Sequence, residues 1–185
     1  MPEYRRLRNR GATVFLTVVV HERYPLFFKQ EARRHLRAAI VSVRKELPFS
    51  MTAICLLPDH FHLVMTLPTK EMDYSKRIQK VKSQFTASWL ESGGWEGNVS
   101  ASRRSKGERG VWQRRFWEHT VRDEQDLERC VDYVHWNPCK HGVVQRVCDY
   151  PHSTFHRYVA AGYYGVGWGS SDPCGEWNAA EFIRE

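Results

Sequence analysis

Leu56-Leu57-Pro58-Asp59-His60-Phe61-His62-Leu63-Val64-Met65-Thr66-Leu67-Pro68 is the stretch on which the rest of the sequence turns. Pro58-Asp59 signals a turn. After it the side chains alternate: on a strand, Phe61, Leu63, Met65 and Leu67 share one face, and His60, His62, Val64 and Thr66 share the other. Two imidazoles at i and i+2 on one face can both reach one metal ion. The same pattern also suits two half-exposed histidines on an ordinary surface strand, so by itself it leaves both readings open.

Outward from this strand, residues 51–57 read as a partner joined to it through the Pro58-Asp59 turn, an antiparallel hairpin. Residues 13–20, β-branched and aromatic, predict a further strand. Between them, Ala32, Leu36, Ala39, Ile40 and Val43 recur at three- and four-residue steps and predict a helix over 29–46, closed by Pro48. Residues 73–90 predict a second helix, with Asp73 or Ser75 as its cap and Ile78, Val81, Phe85 and Leu90 on one side. Lys76, Arg77, Lys80 and Lys82 cover the rest of its surface. Residues 91–110 carry five glycines and several serines and read as a mobile basic loop. Residues 111–121 predict a fourth strand. Asp123 opens a third helix with a stripe of Leu127, Cys130, Val131 and Val134. Pro138 marks a kink or an end in it, and Gly142 is a natural stop.

The order strand, helix, strand, strand, helix, strand, helix predicts an α+β, ferredoxin-like fold: a four-stranded antiparallel sheet with helices packed on one face. His60 and His62 are expected on the face left open. Residues 1–158 read as one domain, and 159–185, rich in glycine and aromatics, as a tail lying over it.

The chain carries a formal net charge of +7 and a pI near 9.3, which favours a polyanionic partner such as nucleic acid. Five cysteines without a CxxC pair argue against a disulfide scaffold or a thiolate zinc site. No apolar run approaches a membrane span, and no h-region follows the arginine-rich start, so a cytoplasmic protein without a membrane partner is expected. Arg5, Arg6, Arg8 and Arg10, the basic helix faces, and the cluster of Arg103, Arg104, Arg114 and Arg115 are candidates for tracking phosphates.

In Tyr133-Val134-His135-Trp136-Asn137-Pro138, Tyr133 and Asn137 are four apart and share a helix face. Tyr133 falls about 110° from the centre of the apolar stripe, at its edge. There it can simply pack, or it can also present its hydroxyl to a cleft.

Together these pieces resemble the HUH single-tyrosine transposase family, and most closely its REP-associated tyrosine transposase branch. The resemblance rests on Leu57-Pro58-Asp59-His60-Phe61-His62, Gln113-Arg114-Arg115-Phe116-Trp117-Glu118-His119, Tyr133 to Gly142, and Pro151-His152-Ser153-Thr154-Phe155. It spans roughly residues 4–158, and the loop at 91–110 is longer than is usual for the family.

The resemblance implies an endonuclease and strand transferase acting on palindromic hairpin, REP-like single-stranded DNA. Tyr133 would be the nucleophile that forms a 5′-phosphotyrosine link. His60, His62 and Asn137 would hold a divalent metal, Mg2+ or Mn2+; ligand softness alone does not exclude zinc. Thr13 is a candidate for DNA recognition and His119 for lining the site, while His135 and His141 suit structural roles equally well. The resemblance favours a monomer, with a dimer as the alternative. The competing readings are a non-catalytic hairpin-binding protein of the same fold and a hydrolase of small phosphate esters.

Overall fold

The computed structural model describes residues 9–171. Its elements are β1 (Thr13–Val19), α1 (Gln30–Glu46), β2 (Ser50–Leu56), β3 (His60–Thr66), α2 (Tyr74–Glu91), the short α3 (Ala101–Arg104), β4 (Trp117–Thr120), α4 (Glu124–Lys140) and α5 (Phe155–Ala160). The four strands form one antiparallel sheet in the order β2-β3-β1-β4. This is the expected α+β layout, with β2 and β3 paired as the predicted hairpin. Arg5, Arg6 and Arg8 of the expected basic arm, and the end of the tail from 172, lie outside the described residues.

Helices α1 and α2 pack on one face of the sheet. The stripe of Ala32, Leu36, Ala39, Ile40 and Val43 is buried there with Phe61, Leu63, Met65 and Leu67, the face of β3 that the alternation assigned. On α2 the stripe ends on Trp89 rather than Leu90, which keeps the three- and four-residue steps from Ile78 through Val81 and Phe85. Asp73 caps α2, accepting from the Lys76 N–H at 2.9 Å. Arg77, expected on the exposed basic face, is instead buried. Its guanidinium donates to the carbonyls of Pro48 and Asp73 and lies 3.6 Å from the Glu71 carboxylate, which together satisfy its charge.

The opposite face departs most from expectation. It is not open: α4 lies across it, and all of β3 except Thr66 is buried. The physical reason is apolar area. Phe15, Ala53, Cys55 and Val64 make a hydrophobic patch around the histidines, and Cys130, Val131, Tyr133 and Val134 of α4 cover it. Tyr133, placed at the edge of the stripe by periodicity, is therefore buried.

Two further segments differ. The fourth strand is confined to Trp117–Thr120, and upstream of it the chain meets the end of β1 through the Val20–Trp112 bridge, with the His21 N–H on the Val111 carbonyl and the Gln113 N–H on the Val19 carbonyl. The loop at 91–110 is built rather than structureless. Trp95 stacks on Tyr24 with ring centroids 3.9 Å apart, Gly97 N–H donates to the Gly110 carbonyl at 2.8 Å, and Arg109 forks onto Glu96. Gly110 is required by close approach, because a Cβ there would meet the Gly97 carbonyl oxygen at 1.9 Å.

Candidate metal and nucleophile site

Strand β3 begins immediately after the Pro58-Asp59 turn, so His60 and His62 stand at the end of the sheet beneath α4. Both are fully buried. Their Nε2 atoms face each other at 3.2 Å. Each ring is fixed by its other nitrogen, His60 Nδ1 against Asp59 Oδ1 at 2.6 Å and His62 Nδ1 against Thr17 Oγ1 at 2.9 Å.

Burial pushes the Asp59 carboxyl upward, but its hydrogen bond with His60, the His60 charge and Arg23 outweigh this and hold it below its ordinary range. An ionised Asp59 only accepts, so His60 Nδ1 donates to it and Nε2 is left toward His62. Arg23, which pairs with Asp59 at 3.1 Å, sits in the left-handed region at φ 51°, beside Glu22 at φ 54°. Such strain persists where surrounding contacts fix it. Burial first, then the charges of His60, His141 and Lys140, hold the His62 imidazole well below its usual range, so it is neutral at pH 7. A neutral, oriented imidazole is the ligand form.

Helix α4 supplies the rest. Asp123 caps it, accepting from the Asp126 N–H at 2.8 Å. Tyr133 and Asn137 share one face, as their spacing predicts, and that face points at the histidines. The Tyr133 ring meets His62 edge-on at 5.4 Å and Phe15 at 5.7 Å. Asn137 is fully buried and close enough to His62 to favour its protonated form slightly. Yet among the described residues neither its amide oxygen nor its amide nitrogen has a hydrogen-bond partner. A native protein rarely leaves a whole amide unsatisfied in its interior without a use for it. Two ring nitrogens converging at 3.2 Å and an unpartnered amide oxygen beside them suit a divalent cation with mixed nitrogen and oxygen ligands.

Lys140 was missed by sequence reasoning. Its Nζ donates to the Tyr133 hydroxyl at 3.0 Å and lies 4.7 Å from the ring centre. The signal was present, since residues seven apart stack on a helix face, but it was hidden by expecting Pro138 to kink or end the helix. Pro138 lies inside α4, which runs on to Lys140 and closes with the His141 N–H on the Asn137 carbonyl.

The other candidates fall elsewhere. His119 bonds both oxygens of Asp126 at 2.8 and 3.0 Å, tying β4 to the first turn of α4. With Cys130 these two form a second donor cluster, all ligand atoms within 4.8 Å of one another. Thr13 bonds Thr66 across the β1–β3 pair at 2.8 Å. Arg10, Arg104 and Arg115 are exposed. Arg103 and Arg114 both engage Glu108, at 2.9 and 3.2 Å. His135 is structural: it bonds Thr154 at 2.8 Å and Tyr164 at 3.3 Å, and burial pushes it down to about 3. His141 instead stands beside the site, its ring 5.2 Å from His60.

A buried histidine pair on a β-hairpin, facing a tyrosine on a crossing helix, defines a class that comparison with known proteins names. A family model described as "Transposase IS200 like" matches residues 11–137, and the chain belongs to this family. Within it, a REP-associated tyrosine transposase of Escherichia coli strain K12 is 39% identical over 168 residues, covering 91% of this chain and 91% of its own length. A Haemophilus influenzae protein assigned to the same class is 39% identical over 171 residues, covering 92% of this chain and 95% of its own. A solved REP-associated tyrosine transposase bound to a REP hairpin superposes with a TM-score of 0.75 at 37% identity, covering 93% of this chain and 94% of the other. The resemblance to the REP-associated tyrosine transposases thus extends over nearly the whole chain. No helix among the described residues is long and apolar enough to cross a membrane.

Proposed function

We propose that this protein cuts and rejoins single-stranded DNA at palindromic, REP-like hairpins, with Tyr133 as nucleophile and a divalent metal held by His60, His62 and Asn137. One observation carries the reading: the buried His60–His62 pair and the unpartnered Asn137 amide lie on the face against which Tyr133 packs. The hairpin bound by the similar solved transposase supports the substrate class.

In the reaction the Tyr133 oxygen attacks the scissile phosphorus. The new P–O bond to tyrosine forms as the P–O3′ bond breaks; the phenolic proton passes to solvent and the departing O3′ takes one up from solvent, leaving a 5′-phosphotyrosine and a free 3′-hydroxyl. The ester link conserves the bond energy, so the reverse attack rejoins DNA. A phenol, with a pKa of about 10, is mostly protonated at pH 7. The Lys140 ammonium, already on the hydroxyl, stabilises the negative charge that develops on its oxygen. Asp59 and Thr17 keep the two imidazoles turned so that both Nε2 atoms converge on one point. A bound Mg2+ or Mn2+ supplies charge neutralisation at the phosphate and alignment of the attack. Histidines, amide and tyrosine all come from one chain, which supports action as a monomer.

The test is incubation with an end-labelled hairpin carrying a single-stranded flank, with Mn2+, followed by denaturing electrophoresis. A covalent adduct is expected with the native protein and none with Tyr133→Phe. An adduct that survives Tyr133→Phe would sink the assignment.

A further inference from the structure

The site just described uses one layer of the molecule. On the other layer, between α2 and the segment 107–114, is a cleft of about 690 Å³. Lys82, Arg103, Arg109 and Arg114 line it together with the carboxylates Glu91 and Glu108, and Arg109 is held by Glu96. Lys82 bridges the walls by donating to the Gln113 carbonyl at 2.6 Å. Glu108 holds Arg103 and Arg114 together, each through Nε. Besides Nε, each guanidinium carries four further N–H donors on its outer fork. Such an arrangement recognises phosphate oxygens. A positively charged groove that tracks the backbone is the way unpaired strands are held without regard to sequence.

The topology connects this cleft to Tyr133. Strand β4 is the outer strand on its side of the sheet. Trp112, which lines the cleft, packs in the layer of α1 and α2, whereas Trp117 packs against the layer of Tyr133. The chain between them therefore crosses the rim of the sheet, and Arg114 and Arg115 are exposed on that crossing. A strand held at Tyr133 that follows the rim meets these arginines and then the cleft.

We propose that the cleft between α2 and the 107–114 segment is a second nucleic-acid site, which seats the phosphodiester backbone of an unpaired DNA arm running from the cleavage point over the β4 rim. The proposal rests on the DNA-cleaving reading above. It gives the long loop at 91–110 a use: the loop builds one wall of the cleft. The contacts go to phosphates, so they position the arm without reading its sequence.

The experiment measures fluorescence anisotropy of the full chain in EDTA, so that no cleavage step intervenes. The probes are a hairpin with an oligothymidine arm at either end and the same hairpin with blunt ends. Two variants are compared with the native protein. Arg103→Gln with Arg114→Gln removes the anion donors, and Ser83→Glu adds a carboxylate on the exposed wall of α2 while leaving every ion pair in place. Circular dichroism melts check that each is folded. Both variants are expected to bind the armed hairpin about tenfold or more weakly, with a salt dependence shallower by about 0.7 for each phosphate that is no longer neutralised. Binding of the blunt hairpin should fall by much less. An equal loss on both probes, no loss with Ser83→Glu, or equal native affinity for the two probes would overturn the cleft assignment while leaving the hairpin reading intact. Failure of the native protein to bind either probe would instead overturn the DNA reading itself, and the cleft with it.

Discussion

Replacing Asn137 with leucine should make the metal-free protein more stable and leave it unable to cut DNA. Asn137 is completely buried in α4, and neither amide atom has a hydrogen-bond partner among the described residues. An unsatisfied buried polar atom costs about 1–3 kcal/mol. Leucine has the same branched heavy-atom outline, though bulkier methyl ends, and a better helix propensity, and it removes both orphaned atoms at once. Allowing for imperfect fit of its branch, a net gain of about 2 kcal/mol is expected. For a chain of this length that corresponds to a melting temperature higher by about 4–8 °C in EDTA. Excess Mn2+ should reverse the order. The native protein gains about 2.7 kcal/mol when the ion is at a hundred times its dissociation constant, whereas the variant, short of one ligand, gains less. Calorimetry or thermal melts of both proteins, with EDTA and with Mn2+, make the comparison. A variant that melts below the native protein in EDTA, or an identical Mn2+ shift in the two, would refute the reasoning that the amide is held unsatisfied for an ion.

Other outcomes follow from the same geometry. His60→Ala and His62→Ala should abolish adduct formation while retaining hairpin binding, measured by electrophoretic shift; loss of both together would point to collapse of the β3 end instead. Lys140→Met removes the ammonium 3.0 Å from the Tyr133 hydroxyl and should slow adduct formation about 10²-fold or more without changing hairpin affinity, read in single-turnover experiments. Glu96 is held down to about 2, chiefly by its hydrogen bonds with Arg109. The contribution of this pair, small after solvent screening, is present above the ordinary glutamate range and lost as pH falls through about 2. Pepsin cleavage within 91–110 should therefore accelerate between pH 4.5 and 2 beyond the enzyme's own pH dependence, and Glu96→Gln should remove that excess. Gly110→Ala, whose Cβ would meet the Gly97 carbonyl oxygen at 1.9 Å, should open the same loop and cost about 1–3 kcal/mol, seen as faster proteolysis at neutral pH.

The elements were legible because their signals are local. Alternation in β3 separated Phe61, Leu63 and Met65 from His60 and His62, and the same division holds in the folded sheet. Three- and four-residue steps located α1, α2 and α4 to within a residue or two, except where Pro138 was read as a kink or an end. Proline removes one donor, but so near the end of α4 little ladder is left to break. The spacing of Tyr133 and Asn137 fixed their common face, and by the same rule it contained Lys140.

Pattern and spacing settle which residues share a face; the packing of elements settles what each face meets. Helices α1 and α2 lie within β-α-β crossovers, and the preference for right-handed connections sends both to the same side of the sheet. Helix α4 follows the last strand and is under no such constraint. Its stripe resembles the others, and only the apolar patch of Phe15, Ala53, Cys55 and Val64 draws it across the histidine face. That choice buries His60 and His62, brings Tyr133 against them and strands the Asn137 amide between. Periodicity reports the partition of each element between water and interior. Burial of a polar group beside another polar group depends on which two elements pack together, and that is settled by the area each can cover.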